Sequence, residues 1–396
     1  MKNRYYPKVE NIELSDKNSK RRLILAVVFG IIAAVSISIA VGKLLLTEPG
    51  WQTVTSSARE SCAGEFVLQY KFGDNATAVS RQLTKLYTSL TEDAYKLFSA
   101  DKSFENVRNL RYISLNPNTE IELEPELYSA LEMMSNRREL YYAPIYSEYS
   151  SLYFSQTDEE ARVFDPEFDA EERTYIDELL GYANNHGMIK LEFLGENSVR
   201  LRVSDKYLEF AKECGFVGLI DFGWLKNAFI ADYIAGKLAE SGFNEALLTS
   251  SDGFVRNLSG DASVYPINDR VGMVVCNAAN AQFPGGTNVV VFRDFMLNRL
   301  DQSRYYEYSD GTIRTPYIGS DGRCHNSVSE LILFSDEKSC AELLLEGFGV
   351  YISEDFDEGQ LSSGRVWCED YTINAVGNVE IGQIYSKDVT YTLNKK

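Results

Sequence analysis

One uninterrupted apolar segment near the N-terminus constrains this chain more than any other feature. Leu23 to Val41 is nineteen residues without a charge, and Leu44 to Leu46 extend the segment beyond Lys43. A helix rises about 1.5 Å per residue, so roughly 20 apolar residues span the hydrocarbon core of a bilayer. Backbone polar groups find no water in that core, so a crossing segment must be helical. The sequence therefore predicts one transmembrane helix over residues 23–46.

The charges beside this segment predict its orientation. Lys20, Arg21 and Arg22 precede it and Glu48 follows it, and basic residues mark the cytoplasmic side of a membrane helix. We therefore predict a cytoplasmic basic tail over residues 1–22, a polar linker over 47–61 and an extracytoplasmic domain over 62–396, in a single-pass protein of the cell membrane. A cleaved signal peptide is the main alternative, although the run is long for one and no clear cleavage site follows. A buried core helix agrees less well with the charged flanks.

The part of the chain beyond the tail is strongly acidic. Residues 1–22 carry seven lysines and arginines against three acidic residues, so the net charge of −19 leaves −23 for the remainder. Such a domain repels phosphates, which argues against nucleic acid as a partner. With only two histidines, a His-rich zinc site or a Ser-His-Asp triad is not expected. Six cysteines permit disulfides outside the cytoplasm without fixing their pairing.

The hydrophobic pattern of the large domain mixes helices with antiparallel-looking strands, which predicts an α+β fold. The pattern predicts strands over 65–72, 188–194, 199–203, 216–221 and 246–249 and short strands from 254 to 308. It predicts helices over 76–100, 125–136, 169–186, 204–214, from Gly223 to Ser241, and 335–346. Residues 156–169 are expected to form an acidic loop, and two more strands are expected near the C-terminus.

The stretch from Leu219 to Arg256 carries the functional argument. A predicted strand ends at Asp221, the chain turns at Gly223, and an amphipathic helix begins whose N-terminal amides point back at the turn. Such a turn can hold a phosphate or a ribose hydroxyl. One glycine is not a dinucleotide-binding fingerprint, so a strand, turn and helix that simply pack in the core remain the alternative.

The order of motifs around this stretch resembles the FAD:protein FMN transferase family, the ApbE-like flavin transferases. Asp221-Phe222-Gly223 is similar to the family's DLG, and Asp232 to the aspartate that closes the same motif. The further similarities run in the family's order: Ala63-Gly64-Glu65 for MGT, Leu115-Asn116-Pro117 for the LN segment, Tyr142-Ala143-Pro144 for FDP, Ser241-Gly242-Phe243 for the helix end, Asp252 for the NxGGD aspartate, Tyr317 to Asp321 for HIxDP, and Ala341-Glu342 for ADxxxT. The resemblance covers roughly residues 55–350.

This resemblance implies an ApbE-like, T-fold-related domain that binds FAD and Mg²⁺ and transfers FMN to a threonine or serine of an extracytoplasmic protein. The implied cofactor-binding residues are Asp221, Gly223, Lys226, Asp232, Asp252 and Tyr317. Glu342 and Glu346 replace the metal-binding Asp and Thr of ADxxxT and lie one helical turn apart, so the resemblance implies that they hold Mg²⁺. A solvated acidic helix face is the alternative for that pair. The implied partner, besides the membrane, is an extracytoplasmic flavoprotein or a subunit of a redox complex.

Departures from the family's motifs leave the activity open. Asn227 stands at the family's lysine, with Lys226 one residue away; Tyr317 stands at its histidine; and Ser250-Ser251 stand near its paired glycines. We therefore keep three hypotheses: a transferase with altered residues, a non-catalytic flavin-binding or protein-interaction module of the cell envelope, and an unrelated structural ectodomain. No catalytic residue is assigned. A tyrosine-rich segment is compatible with stacking on a flavin and equally with core packing: Tyr141, Tyr142, Tyr146, Tyr149 and Tyr153.

Overall fold

The computed structural model describes residues 49–271, 274–368, 372–373, 379–380, 384–387 and 390–393. The α-helices of this part of the chain are α1 Ala76–Leu97, α2 Leu110–Leu115, α3 Pro125–Met133, α4 Ala143–Tyr153, α5 Asp158–Val163, α6 Ala170–Ala183, α7 Asp205–Cys214, α8 Lys226–Glu240 and α9 Cys340–Tyr351. The strands are β1 Gly50–Val54, β2 Phe66–Phe72, β3 Glu120–Glu122, β4 Ile189–Gly195, β5 Ser198–Val203, β6 Ala246–Ser250, β7 Phe254–Asn257, β8 Ser263–Val271, β9 Val274–Phe283, β10 Asn288–Arg293, β11 Tyr306–Glu307, β12 Ile313–Arg314, β13 Glu330–Ser335, β14 Gly364–Cys368, β15 Thr372–Ile373, β16 Val379–Glu380, β17 Ile384–Lys387 and β18 Thr390–Leu393.

The main sheet contains eight of the described strands in the order β1-β2-β6-β7-β10-β13-β14-β17. Each neighbouring pair is antiparallel; β2, for example, pairs Leu68 with Leu248 of β6. Two three-stranded sheets, β18-β9-β8 and β3-β5-β4, and the two-stranded ribbons β11-β12 and β15-β16 complete the described strands. The α+β prediction is confirmed, whereas the membrane helix lies outside the described residues. Within those residues, no helix combines the length and the apolar character that crossing a membrane requires.

The central strand β10 is buried on both faces of the main sheet. Val290 and Phe292 point into the larger core, which the helices cover, and Val289 and Val291 point into a smaller core with Phe283 of β9. Successive side chains of a strand point to opposite faces, so the four consecutive apolar residues of β10 fit a sheet covered on both sides. Helix α8 lies in the larger core and buries Phe229, Ile230 and Ile234 among others.

Several predicted elements differ from the structure, each for a local reason. The predicted linker over 47–61 contains strand β1, which pairs with β2 along the sheet edge. The acidic loop over 156–169 contains α5, which Thr157 caps by accepting the N–H of Glu160. The predicted strand over 216–221 is not a strand, because its amides bond separate partners: the N–H of Leu219 donates to Ser114 Oγ and that of Asp221 to the Leu140 carbonyl. The last helix begins at Cys340 rather than Ser335, after a capping box of Ser339 and Glu342.

Candidate functional site

A cavity of about 430 Å³ opens where α8 begins, within the range of about 300–1,000 Å³ typical of small-molecule sites. Six segments line it: the 3-10 turn before β2, helix α4, the turn that leads into α8, the β6–β7 turn, the 3-10 helix Arg299–Ser303 with the residue after it, and the segment at 316–318. Of the predicted site residues, Asp221, Gly223, Lys226 and Asp252 line the cavity together. The segments come from sequence positions far apart, so the fold rather than any single motif assembles this site.

Gly223 allows the chain to turn closely past helix α4. Its φ of +56° lies in the left-handed region, and a Cβ on it would lie 2.5 Å from Cε2 of Tyr146. The Gly223 N–H donates to Asp221 Oδ1 over 3.1 Å, so the carboxylate caps the turn that leads into α8. Burial raises the pKa of Asp221, against the opposing effects of Lys226 and the Gly223 amide. Asp221 therefore combines a fixed position with enhanced basicity.

Lys226 is a cavity-lining cation with no bonded partner in the part of the chain that the structure describes. Its side chain is half-buried and makes neither a hydrogen bond nor an ion pair with those residues. Burial alone would lower the pKa of Lys226, but the carboxylates of Asp221, Glu65 and Asp101 more than offset it, and the pKa rises. The side chain is therefore an ammonium held among carboxylates, none of which it contacts directly.

A polar network of side chains from four segments forms another part of the cavity wall. Nδ2 of the buried Asn227 donates to Glu65 Oε2 over 2.6 Å and to Asp252 Oδ2 over 2.8 Å. Arg304 forms an ion pair of 2.6 Å from Nη1 to Asp252 Oδ2, and its Nη2 donates to Ser251 Oγ. Burial raises the pKa of Asp252, against the opposing effect of Arg304. The carboxylates of Glu65 and Asp252 thus both accept from the neutral Asn227 amide, and Asp252 also pairs with the cationic Arg304.

Tyrosines of α4 form an aromatic wall. Tyr146, Tyr149 and Tyr153 line the cavity, and each hydroxyl donates to a backbone carbonyl, those of Glu139, Gly322 and Thr315 respectively. The hydroxyls are therefore occupied; Tyr149 is buried, and the partly exposed rings of Tyr146 and Tyr153 remain to pack against a ligand. Trp224 lines the cavity too and packs edge-to-face on Tyr317, with ring centroids 4.7 Å apart.

Two predicted binding residues lie elsewhere. Asp232 accepts the N–H groups of Cys340 and Ala341 at the start of α9 and pairs with Arg256, so it joins α8 to α9 away from the cavity. Tyr317 is buried behind Trp224, and its hydroxyl accepts the Arg293 N–H over 3.1 Å. Its neighbours Pro316 and Ile318 line the cavity instead. Both predicted residues have structural contacts that account for their positions.

The two glutamates predicted to hold Mg²⁺ are bonded to other groups and do not line the cavity. Glu342 accepts the Ser339 N–H in the capping box, and Glu346 pairs with Lys338 over 2.5 Å while accepting from the serines at 362 and 363. Among the described residues no group of three or more histidine, cysteine, aspartate or glutamate side chains is arranged to hold a metal ion. The residues present therefore do not fit the Mg²⁺ site that the resemblance implies.

Glu65 and Arg304 line the cavity, and the sequence did not identify them as site residues. Glu65 ends the Ala63-Gly64-Glu65 motif, so its place in the family's order was a usable signal. For Arg304 the signal was an Asn298–Asp301 capping box, which predicts a helical turn but not its neighbours. Oδ1 of the buried Asp301 lies 3.4 Å from Arg304 Nη2 and 2.9 Å from Arg293 Nη2. The place of Arg304 in the cavity therefore depends on tertiary contacts that the sequence pattern does not show.

Comparison with solved structures gives matches along most of the chain. The flavin transferase ApbE from Vibrio cholerae is 11% identical, with a TM-score of 0.54, and the match covers 86% of this chain and 98% of that one. The apo flavinyl transferase ApbE from Pseudomonas stutzeri is 13% identical, with a TM-score of 0.50, over 88% of this chain and 96% of that one. The chain has the flavin-transferase fold. The low identity fits a divergent example of it, and the predicted fold resemblance is confirmed.

No protein-family model matches the sequence, and no curated protein matches it significantly. In this flavin-transferase fold the cavity is formed by the segments that carry the family-like motifs around Ala63, Asp221 and Asp252. The likeness shows the fold of this chain, and a shared fold does not establish a shared ligand.

Proposed function

We propose that this protein binds FAD in the cavity at the start of α8, as a divergent flavin-transferase-like protein of the cell membrane. The observation that carries the proposal is the open cavity lined by Asp221, Gly223, Lys226 and Asp252 within this fold. A cavity filled by the chain's own side chains would have contradicted it.

The chemistry of the walls matches the parts of a flavin nucleotide. The tyrosines of α4 offer ring surface to an isoalloxazine or adenine ring. Lys226 offers an ammonium to the pyrophosphate, and Glu65 in the lining offers carboxylate oxygen to a hydroxyl or amino group. The combination of one aromatic wall with fixed charges of both signs favours an amphiphilic, phosphate-bearing ligand.

Transfer of FMN would require one step that Asp221 is placed to assist. An acceptor threonine or serine oxygen would bond the FMN phosphorus, the bond from that phosphorus to the bridging oxygen would break, AMP would leave, and the hydroxyl proton would pass to a base. Asp221 lines the cavity and its pKa is raised by burial, which suits a general base. The described lining contains no histidine, and Tyr317 is buried, which supports the second candidate: a protein that binds FAD without transferring FMN.

We further propose the location and the partner. The apolar segment over 23–46 anchors the chain, the basic tail over 1–22 remains in the cytoplasm, and the large domain lies outside it. A tethered domain suits acceptors that are themselves at the membrane, so the proposed partner is an extracytoplasmic flavoprotein or a redox-complex subunit.

Cysteine labelling on intact cells tests this orientation. A reporter cysteine is introduced into the full-length chain either as Asn3→Cys or as Asn394→Cys, in a Cys214→Ser, Cys324→Ser background because Cys214 is exposed and Cys324 is partly exposed. The same background without a reporter gives the baseline. A membrane-impermeant thiol reagent should label the Asn394→Cys chain and leave the Asn3→Cys chain unlabelled until the cells are opened. The reverse pattern would contradict the proposed orientation.

The functional experiment is a titration of the full-length chain in detergent with FAD, followed by flavin fluorescence, with AMP release measured in the presence of membrane proteins. Binding with AMP release that Asp221→Asn abolishes would establish the transferase. Binding without AMP release would establish the binding module. Absence of binding would leave only a tethered ectodomain that has this fold.

A further inference from the structure

We propose that Lys226 supplies the positive charge that balances the ligand's phosphates, so that FAD binds this cavity without a divalent cation. This inference rests on the proposed function, because it concerns how the same cavity holds FAD. The sequence resemblance implies that FAD binding depends on Mg²⁺, and the present proposal differs from that. Lys226 is the one ammonium in the cavity lining, and it has no bonded partner among the described residues.

Of the two cationic side chains in the cavity lining that the structure describes, Arg304 is paired and Lys226 is not. Arg304 is bonded to Asp252, Ser251 and Asp301, so its guanidinium has three protein partners. Asp301, which is fully buried and bonded to Arg293 as well, holds Arg304 in that position. Lys226 has no such partner among the described residues, although three carboxylates lie near enough to raise its pKa. An ammonium with unused donors in a half-buried site gains most from an anionic ligand.

Most of the carboxylates that a metal ion would need already accept hydrogen bonds from the protein. Glu65 and Asp252 both accept from the Asn227 amide, and Asp252 carries the Arg304 ion pair besides. Glu342 and Glu346 are bonded to Ser339 and Lys338 outside the cavity. A divalent cation at the bonded oxygens of Glu65 or Asp252 would have to displace the Asn227 amide. At Asp252 it would also face the Arg304 guanidinium.

Asp221 is the remaining carboxylate in the described lining of the cavity. The Gly223 amide bonds it, and it lies on the same turn as Lys226. Asp221 supplies at most two oxygens of the nearly octahedral Mg²⁺ shell, so water and the ligand's own phosphates would have to supply the rest. The ammonium of Lys226 reaches the same cavity from the first turn of α8 and supplies a point charge there.

The test compares FAD binding to the full-length chain in detergent with Mg²⁺ and with excess EDTA, by calorimetry. We expect the same Kd in both buffers. Lys226→Met is expected to weaken FAD and FMN binding by about 10- to 100-fold, since a hydrogen bond to a charged group contributes roughly 1.5–3 kcal/mol and about 1.4 kcal/mol is tenfold. Riboflavin, which has no phosphate, should bind the variant as it binds the parent protein.

The matched control is Lys237→Met on the same helix, since Lys237 pairs with Glu126 and Glu240 and does not line the cavity. It should leave all affinities unchanged. Binding of FAD only with Mg²⁺, or equal effects of the two lysine variants, would overturn the inference while leaving FAD binding intact. Absence of FAD binding in both buffers would refute the proposed function and this inference with it. If Lys226→Met folds poorly, the comparison of FAD binding by the unaltered chain with Mg²⁺ and with EDTA still tests the inference.

Discussion

Gly223→Ala is expected to destabilise the domain by two separable effects. Holding alanine at a φ of +56° costs roughly 1–2 kcal/mol in backbone conformation. The added methyl would lie 2.5 Å from the ring of Tyr146, and relieving such a contact typically costs about 1–3 kcal/mol. Together the free energy of unfolding should fall by about 2–5 kcal/mol.

Gly242→Ala separates the two effects. Gly242 has a φ of +82°, and nothing lies within 4 Å of the Cβ it would gain. This control should therefore lose only the backbone contribution of about 1–2 kcal/mol. Adding Tyr146→Ala to Gly223→Ala removes the contacted ring, so the double variant should show a coupling energy of about 1–3 kcal/mol between the two positions.

The assay is urea unfolding of the full-length chain in detergent, followed by tryptophan fluorescence, with the slope against urea compared between variants. The same variants should be titrated with FAD, because the added methyl also displaces a ring that lines the cavity. Equal losses for Gly223→Ala and Gly242→Ala, with no coupling to Tyr146, would refute the close approach of this turn to α4.

Three further predictions follow from the contacts. Asp232→Ala removes the acceptor for two α9 amides and should lower stability by about 1–2 kcal/mol without changing FAD affinity, as unfolding and titration would show; a large loss of affinity would contradict its placement outside the cavity. Asp301→Ala leaves the buried Arg293 unpaired and should lower stability by about 3–5 kcal/mol; a loss under about 1 kcal/mol by urea unfolding would contradict the buried ion pair. Lys338 and neighbouring serines, opposing the effect of burial, lower the pKa of Glu346 to about 2, so its contribution to stability should be complete above its ordinary pKa of 4.5 and disappear as the pH falls toward 2. Stability profiles of the parent protein and Glu346→Gln should therefore converge over that range, and a constant separation would contradict the lowered pKa.

Local pattern was sufficient where one segment determines its own structure. The alternation in β2 and the period of α1 and α8 agree with the sequence predictions. So do the two strands predicted over 188–194 and 199–203, which a turn with positive φ at Glu196 and Asn197 joins. The short apolar run over 216–221 did not form a strand, because its amides bond partners on other segments. A short apolar run carries no period that distinguishes a strand from an irregular buried segment.

The site was predictable where it lies on one turn, and at Asp252, which the order of family-like motifs indicated. Asp221, Gly223 and Lys226 follow each other in sequence, so the turn and helix start placed them together. Arg304 and Glu65 come to the same cavity from distant segments, which no local pattern reveals. Glu342 and Glu346 had the spacing for a shared ion, but spacing does not show that other donors already bond both side chains.

The most direct test of FAD binding in this cavity is to block the cavity. Gly64 lines it, has no positive φ and has nothing within 4 Å of an added Cβ, so Gly64→Trp places a ring at the cavity without a clash at its Cβ. Gly73→Trp, at an exposed glycine with the same freedom that does not line the cavity, is the control. We predict saturable FAD binding to the parent protein and to Gly73→Trp, and its loss in Gly64→Trp. Equal FAD binding by all three proteins would contradict the account.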